Sequence, residues 1–132
     1  APDWIAEFDK IRLPYNINSL TQAAVKYALT HAEVLESQSQ AIRSERERLS
    51  ALLGDRGFSV WPSEANFVVV DTSPVAYDAR ALFEGLKARG VLIKCLDGSH
   101  PRLKGTLRIT VGQPSETDAL MAALDQLLAG GR

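Results

Sequence analysis

The order of predicted elements indicates a two-layer α/β sandwich, in which helices cover a small mixed or antiparallel sheet of about four strands. Three observations lead to it. Residues 106–111 alternate apolar and polar side chains, which is typical of a strand with one buried face. Residues 114–128 repeat alanine and leucine at helical spacing. The whole chain gives the order long helix, strand, strand, helix, strand, strand, helix, and such one-sided elements bury their apolar faces by packing helices on a sheet.

The first of these elements is predicted to be one long helix over residues 19–53. Asn18 or Ser19 can cap its start, and Gly54 or Gly57 can end it. An unbroken helix of this span would be about 50 Å long at about 1.5 Å per residue. A domain of this size is narrower than that, so we expect one end of the helix to project.

Residues 1–18 are predicted to be irregular. Trp4, Ile5 and Phe8 can form a short amphipathic turn, and Pro14 disfavours helix at the residue before it. We expect an extended arm here, which either docks onto another surface or folds back on its own domain.

The remaining elements follow from shorter patterns. Apolar runs and alternation predict strands, and leucine spacing predicts helices that end at glycine. The predicted bounds are strands at 58–61, 66–71, 91–94 and 106–111, and helices at 77–89 and 114–128.

Composition excludes several classes of function. The 132 residues carry a net charge of −1, with lysine and arginine spread along the chain. A nucleic-acid or anionic-membrane surface would need a concentrated basic patch. No apolar run approaches the roughly 20 residues of a membrane-spanning helix. The single cysteine, Cys95, cannot form an internal disulfide, which fits a cytoplasmic protein.

Two cations are the strongest candidates for binding. Arg108 lies in the middle of a predicted strand, where a guanidinium is costly to bury without an anion. We therefore expect Arg108 either to lie on a solvent-exposed face of the sheet or to bind a carboxylate or phosphate. Lys94 ends the preceding strand, and the pair would suit a small dianion. No glycine-rich phosphate loop is present, and His31, His100 and Cys95 make a poor case for a metal site.

Four ordered blocks carry a family resemblance across nearly the whole chain. Together they resemble the carboxy-terminal part of class I/II, fold type I pyridoxal-phosphate aminotransferases, and they are most similar to histidinol-phosphate aminotransferases. The blocks are Pro14-Tyr-Asn-Ile-Asn18 with Thr21-Gln-Ala-Ala24, Pro62-Ser-Glu-Ala-Asn-Phe67, Gly90-Val-Leu-Ile-Lys94 and Leu107-Arg-Ile-Thr-Val-Gly112.

The resemblance implies amino-group transfer between glutamate and imidazole-acetol phosphate in histidine biosynthesis, by a homodimer. It assigns Arg108 to the substrate carboxylate. Lys94 stands where these enzymes usually carry a phosphate-binding arginine, so it keeps the charge and loses the bidentate fork. Tyr15 and Asn16 fall in the arm that crosses toward the large domain, where they could line the site.

The resemblance also implies that a large domain, with the Schiff-base lysine and the pyridoxal-phosphate site, precedes this segment. None of the five lysines matches the Schiff-base motif. We therefore expect residues 1–18 to be a linker from the missing domain and 19–132 to be the small domain, inactive alone and without bound cofactor. Three alternatives stay open: a class I/II aminotransferase with another substrate, a stand-alone module binding a small anionic metabolite, and a structural interaction domain using the long helix.

Overall fold

The computed structural model describes residues 2–11 and 17–130, and the chain divides into two compact units, Ala1–Ser37 and Gln38–Arg132. The sheet belongs to the second unit. Its four strands run in the order β1-β2-β4-β3, and every neighbouring pair is antiparallel. The predicted α/β sandwich with about four strands is therefore confirmed.

The first unit is helical. Helix α1 spans Pro2–Ile11, α2 spans Ser19–Leu29, and α3 begins at Ala32 and ends at Asp55 in the second unit. Helix α1 replaces the irregular start that we expected. Acidic Asp3 in its first turn and Lys10 in its last turn both suit the helix dipole, which favours a regular helix over a single turn.

The predicted single long helix is wrong, because two residues separate α2 from α3. The Thr30 hydroxyl donates to the Tyr27 carbonyl oxygen at 2.7 Å, and His31 Nδ1 lies 3.0 Å from the same oxygen. The backbone N–H of His31 donates instead to Ala28, one residue later than in a regular α-helix. Side chains that bind a local carbonyl compete with the helical ladder, and here the helix ends.

The second unit contains the strands and the last two helices. Its bounds are β1 Ser59–Val60, β2 Phe67–Asp71, α4 Ala79–Ala88, β3 Lys94–Cys95, β4 Thr106–Thr110 and α5 Pro114–Gly130. Two short 3₁₀ turns, Ser73–Val75 and Pro101–Leu103, lie between them. None of the described helices combines the length and the apolar character needed to cross a membrane.

Strand β3 begins later than the sequence predicts. Gly90 takes a left-handed φ of 80°, and the Val91 N–H donates to the Leu86 carbonyl as α4 ends. This bond belongs to helix termination and keeps Val91 out of the sheet ladder. Lys94 is consequently the first residue of β3 and not the last.

One face of the sheet forms the core. Side chains that alternate along β2 and β4 are only 0–4 % exposed: Val68, Val70, Leu107 and Ile109. They pack in one cluster with leucines of the three helices in this unit: Leu49, Leu53, Leu82, Leu86, Leu120 and Leu124. Burial of this apolar area is the main force holding the sheet and helices together.

Candidate functional site

The candidate site lies on the sheet face opposite the core. Side chains alternate between faces along a strand, so the neighbours of the buried residues point the other way. We call this surface the Arg108 face; its residues around Arg108 are Phe67, Val69, Lys94 and Thr110, and Asp71 and Thr106 pair on the same face further along β2 and β4. Phe67, Val69 and Arg108 are half-buried, whereas Lys94 and Thr110 are exposed. Phe67 and Val69 give this surface its apolar area, and Arg108 and Lys94 give it two positive charges.

Strand register places the two cations side by side. Arg108 in β4 pairs with Lys94 in β3 on one side and with Val69 in β2 on the other. Directly opposite residues of an antiparallel pair share a face, with Cβ atoms roughly 5 Å apart. Like charges at this spacing repel, and an anion between them would relieve the repulsion. The structure thus brings together the two residues that the sequence singled out, and their binding roles stay predictions.

The Arg108 guanidinium has no anionic partner in the part of the chain that the structure describes. Neither a hydrogen bond nor an ion pair to it is found among residues 2–11 and 17–130, and its buried Nε has no acceptor. Its Cζ atom lies 5.3 Å from the centre of the Phe67 ring. A buried N–H without an acceptor is costly and rare in folded proteins. Among the described residues, Arg108 is therefore contacted by an aromatic ring and not by a carboxylate, and its role as a ligand-binding residue stays a prediction.

Phe67 is the site residue that sequence reasoning missed. It begins β2, and the nearly continuous apolar run of this strand predicts only that at least one face is covered. Its neighbour across the sheet is Thr110, so it lies diagonal to Arg108. Only the register of β2 against β4 shows that diagonal. A signal was nevertheless present, because alternation along residues 67–71 would put Phe67 and Val69 on the face away from Val68.

A seam of ion pairs joins α3 to α5, next to the end of β4. Arg48 binds the buried Glu45 through Nε and Nη2, Asp118 through Nη1 at 2.9 Å, and the Pro114 carbonyl through Nη2 at 2.9 Å. The hydrogen bond from Arg48 lowers the pKa of Glu45, and these carboxylates raise the pKa of Arg48. The first turn of α5, which follows the Arg108 strand, is thereby anchored to α3.

A second bidentate pair extends this α3–α5 seam. Arg56 donates from Nε and Nη2 to the two oxygens of Asp125, at 2.7 and 2.8 Å. The hydrogen bond raises the pKa of Arg56 and lowers that of Asp125. Planar fork-to-carboxylate contacts of this kind fix orientation as well as charge.

The other candidate residues do not join the Arg108 face. Tyr15 and Asn16 lie outside the described residues. His100 caps a 3₁₀ turn by accepting from the Arg102 N–H at 3.2 Å, and His31 lies where α2 ends. In the part of the chain that the structure describes, no three His, Cys, Asp or Glu side chains cluster as metal ligands would.

A cavity of about 300 Å³ opens where β4 ends and α5 begins, and it includes neither Arg108 nor Lys94. Its walls come from α3, β4, α5 and the segment before β3, and they include Leu49, Val91, Ile93, Ile109, Thr117 and Leu120. Most of these side chains are apolar, so this cavity offers no comparable receptor for an anion.

Comparison with known proteins identifies the family. The family model described as aminotransferase class I and II matches residues 2–124. This chain belongs to that family. The match covers α1 to α5 up to Leu124 and includes the whole Arg108 face.

Relatives within the family are histidinol-phosphate aminotransferases. The chain is 50 % identical over 127 residues to that enzyme from Chromobacterium violaceum, covering 96 % of this chain and 35 % of the relative. It is 47 % identical over 126 residues to the one from Methylibium petroleiphilum, covering 95 % and 33 %. This family member therefore spans about a third of the length of the relatives it matches.

Solved structures agree with the fold. Histidinol-phosphate aminotransferase from Sinorhizobium meliloti, in complex with pyridoxal-5'-phosphate, superposes with a TM-score of 0.75 at 30 % identity, over 94 % of this chain and 33 % of that one. The enzyme of the same name from Clostridium acetobutylicum gives a TM-score of 0.79 at 20 % identity, over 95 % and 37 %, and supports the fold alone.

Proposed function

We propose that this chain is the carboxy-terminal small domain of a histidinol-phosphate aminotransferase. The longer enzyme would transfer an amino group between glutamate and imidazole-acetol phosphate in histidine biosynthesis. The observation that carries the proposal is that Arg108 lies beside Lys94 on one sheet face and has no polar partner among the described residues. The 50 % identity to a histidinol-phosphate aminotransferase over 96 % of the chain supports it.

In this proposal, Arg108 and Lys94 each bind a different anionic group of the substrate. Arg108 binds the α-carboxylate, because a guanidinium offers two parallel N–H donors that match a carboxylate. Lys94 neutralises the phosphate of the imidazole substrate as a point charge. Glutamate carries a second carboxylate instead of the phosphate, and Lys94 can pair with that group as well.

We propose that none of the five lysines of this chain is the covalent site for pyridoxal phosphate. When bound, this cofactor supplies the electron sink for amino transfer, and it needs a lysine amine in the protein. All five lysines are exposed, and Lys10 and Lys87 are engaged with Glu7 and Glu84. We propose that the covalent lysine lies in the two-thirds of the enzyme that this chain does not represent, and that the chain alone is inactive.

In the longer enzyme, residues 1–18 would link the two domains and 19–132 would form the small domain of a cytoplasmic homodimer. Apolar side chains exposed on the helices of the first unit would then pack against the rest of the enzyme. They include Trp4, Phe8, Leu20, Tyr27 and Leu29, which are 61–83 % exposed.

A stand-alone anion-binding module is the second candidate function. The same cation pair supports it, since Lys94 and Arg108 need no cofactor to bind a small dicarboxylate. The exposed apolar helices equally suit an interaction domain. Both alternatives predict a native gene product of this length.

The size of the native protein separates these candidates. An antibody raised against this chain should detect a band well above 14.4 kDa in extracts of the source cells. The purified longer protein should then consume glutamate and imidazole-acetol phosphate with added pyridoxal phosphate, whereas the 132-residue chain should not. A native band at 14.4 kDa would reject the aminotransferase proposal in favour of a module acting alone.

A further inference from the structure

We infer that Phe67 is a positioning residue, which holds Arg108 so that a carboxylate reaches only the two terminal nitrogens of the guanidinium. The inference deepens the proposed function and rests on the proposed carboxylate-binding role of Arg108.

The geometry begins with the sheet register. Phe67 pairs with Thr110, and Arg108 pairs with Val69, so Phe67 and Arg108 are diagonal neighbours on one face. Diagonal neighbours are within reach of aromatic and long side chains. Here the Arg108 Cζ atom lies 5.3 Å from the centre of the Phe67 ring, inside the range of a cation–π contact.

Burial then decides which nitrogens remain available. A guanidinium can bind a carboxylate through its two terminal nitrogens or through Nε and one terminal nitrogen. Arg108 Nε is buried without an acceptor, so the second mode is closed. Of the two terminal nitrogens, neither has a partner among the residues that the structure describes.

The ring also offsets the absence of a carboxylate partner. A structural arginine is usually oriented by an acidic side chain, but such a side chain would compete with the substrate carboxylate. An aromatic face attracts the cation by its quadrupole and cannot accept the hydrogen bonds that the substrate needs. Phe67 therefore fixes Arg108 while leaving the donors on its two terminal nitrogens available to a carboxylate.

Side-chain NMR of the 132-residue chain tests the geometry without any activity. The Arg108 Nε–H signal, assigned by its loss in Arg108→Lys, should exchange with water more slowly than that of Arg102, an exposed arginine. Phe67→Leu should raise the Arg108 exchange rate toward that of Arg102. Phe83→Leu is the matched control, because Phe83 is also half-buried and faces a different cation, Lys87, at 5.9 Å.

Two NMR results would overturn the inference. The first is that the Nε–H proton of Arg108 exchanges with water as fast as that of Arg102 in the unsubstituted chain. This comparison does not depend on whether a variant folds. The other is equal effects of Phe67→Leu and Phe83→Leu on Arg108.

Kinetics of the longer enzyme test the positioning role. Phe67→Leu should raise the KM for glutamate about tenfold and change kcat little, since about 1.4 kcal/mol corresponds to a factor of ten. Phe67→Tyr keeps the aromatic face and should restore the KM. If Arg108→Ala raises the KM for glutamate and Phe67→Leu does not, the positioning role of Phe67 is rejected and the proposed role of Arg108 stands. If neither substitution changes the KM, the proposed role of Arg108 is rejected as well.

Discussion

Arginines in two regions of the second unit are held in opposite ways. In the α3–α5 seam, Arg48 and Arg56 are engaged by carboxylates, with contacts of 2.7–3.2 Å. On the Arg108 face, Arg108 has a ring contact and, among the described residues, no carboxylate partner. The difference separates arginines that join helices from one whose proposed role is to bind a ligand. Removal of the first kind should cost stability, and removal of the second should cost activity.

The largest expected effect contrasts two neighbours in β4. Leu107 is 2 % exposed in the core, so Leu107→Ala should reduce the free energy of unfolding by about 3 kcal/mol. Arg108→Ala should change it far less, because Arg108 points to the other face and has no polar partner among the described residues. Urea unfolding of the 132-residue chain measures both. Similar losses for the two variants would contradict the division between faces.

Arg108→Ala should mainly reduce the activity of the longer enzyme. In the longer enzyme we expect kcat/KM for glutamate to fall about a hundredfold, the order typical when one partner of a desolvated charge pair is removed. Steady-state kinetics with each substrate measures this. Arg102→Ala is a suitable control, since Arg102 is exposed and lies off the Arg108 face. Unchanged kinetics for both substrates would remove Arg108 from the site.

Arg48→Ala should lower the melting temperature of the chain, but by less than Leu107→Ala. The substitution leaves Glu45 buried without its main donor and releases the first turn of α5. Thermal unfolding followed by circular dichroism measures the shift, again with Arg102→Ala as the control. A melting temperature equal to that of the unsubstituted chain would show that the α3–α5 seam contributes nothing.

The smallest expected effect is a pH dependence of stability in the same seam. The hydrogen bond from Arg48, opposed by burial and helped by Thr117, lowers the folded-state pKa of Glu45 below its ordinary value of 4.5. The stabilisation is therefore present above pH 4.5 and is lost as the pH falls through the folded-state pKa.

The pH dependence can be assigned by difference. Urea unfolding from about pH 6 to about pH 3 should show a stability loss that is shallower in Glu45→Gln. Asp125 also has a lowered pKa and contributes in the same direction, so only the difference between the two proteins reports Glu45. Identical pH profiles would exclude a contribution from Glu45.

Local pattern was sufficient for much of the fold. The α/β class, the four strands and the helices α4 and α5 follow from spacing within a few residues, because burial on one face imposes a period of two or of 3.6. The same reasoning marked Lys94 and Arg108 as the cations to watch. The four short sequence blocks, in their order along the chain, also predicted the family that the family model confirms.

Sequence reasoning failed where a local hydrogen bond replaced a bond of the regular helix or strand, because the spacing of apolar residues does not reveal such bonds. The helix over residues 19–53 looked continuous, yet Thr30 and His31 bind the Tyr27 carbonyl and divide it. The strand at 91–94 shifted because Val91 completes the end of α4. Both errors lie at element boundaries, where a single hydrogen bond decides the outcome.

The sequence by itself determined the type of most elements, which residues carry charge and to which family the chain belongs. Only the tertiary structure decided that Arg108 has Lys94 beside it and Phe67 under it. Strand pairing brings Lys94 beside Arg108 from 14 positions away and places Phe67, which is 41 positions away, diagonal to Arg108. Register depends on the packing of the entire core. A slip of one residue would move Arg108 to the other face, so its setting is a property of the assembled sheet.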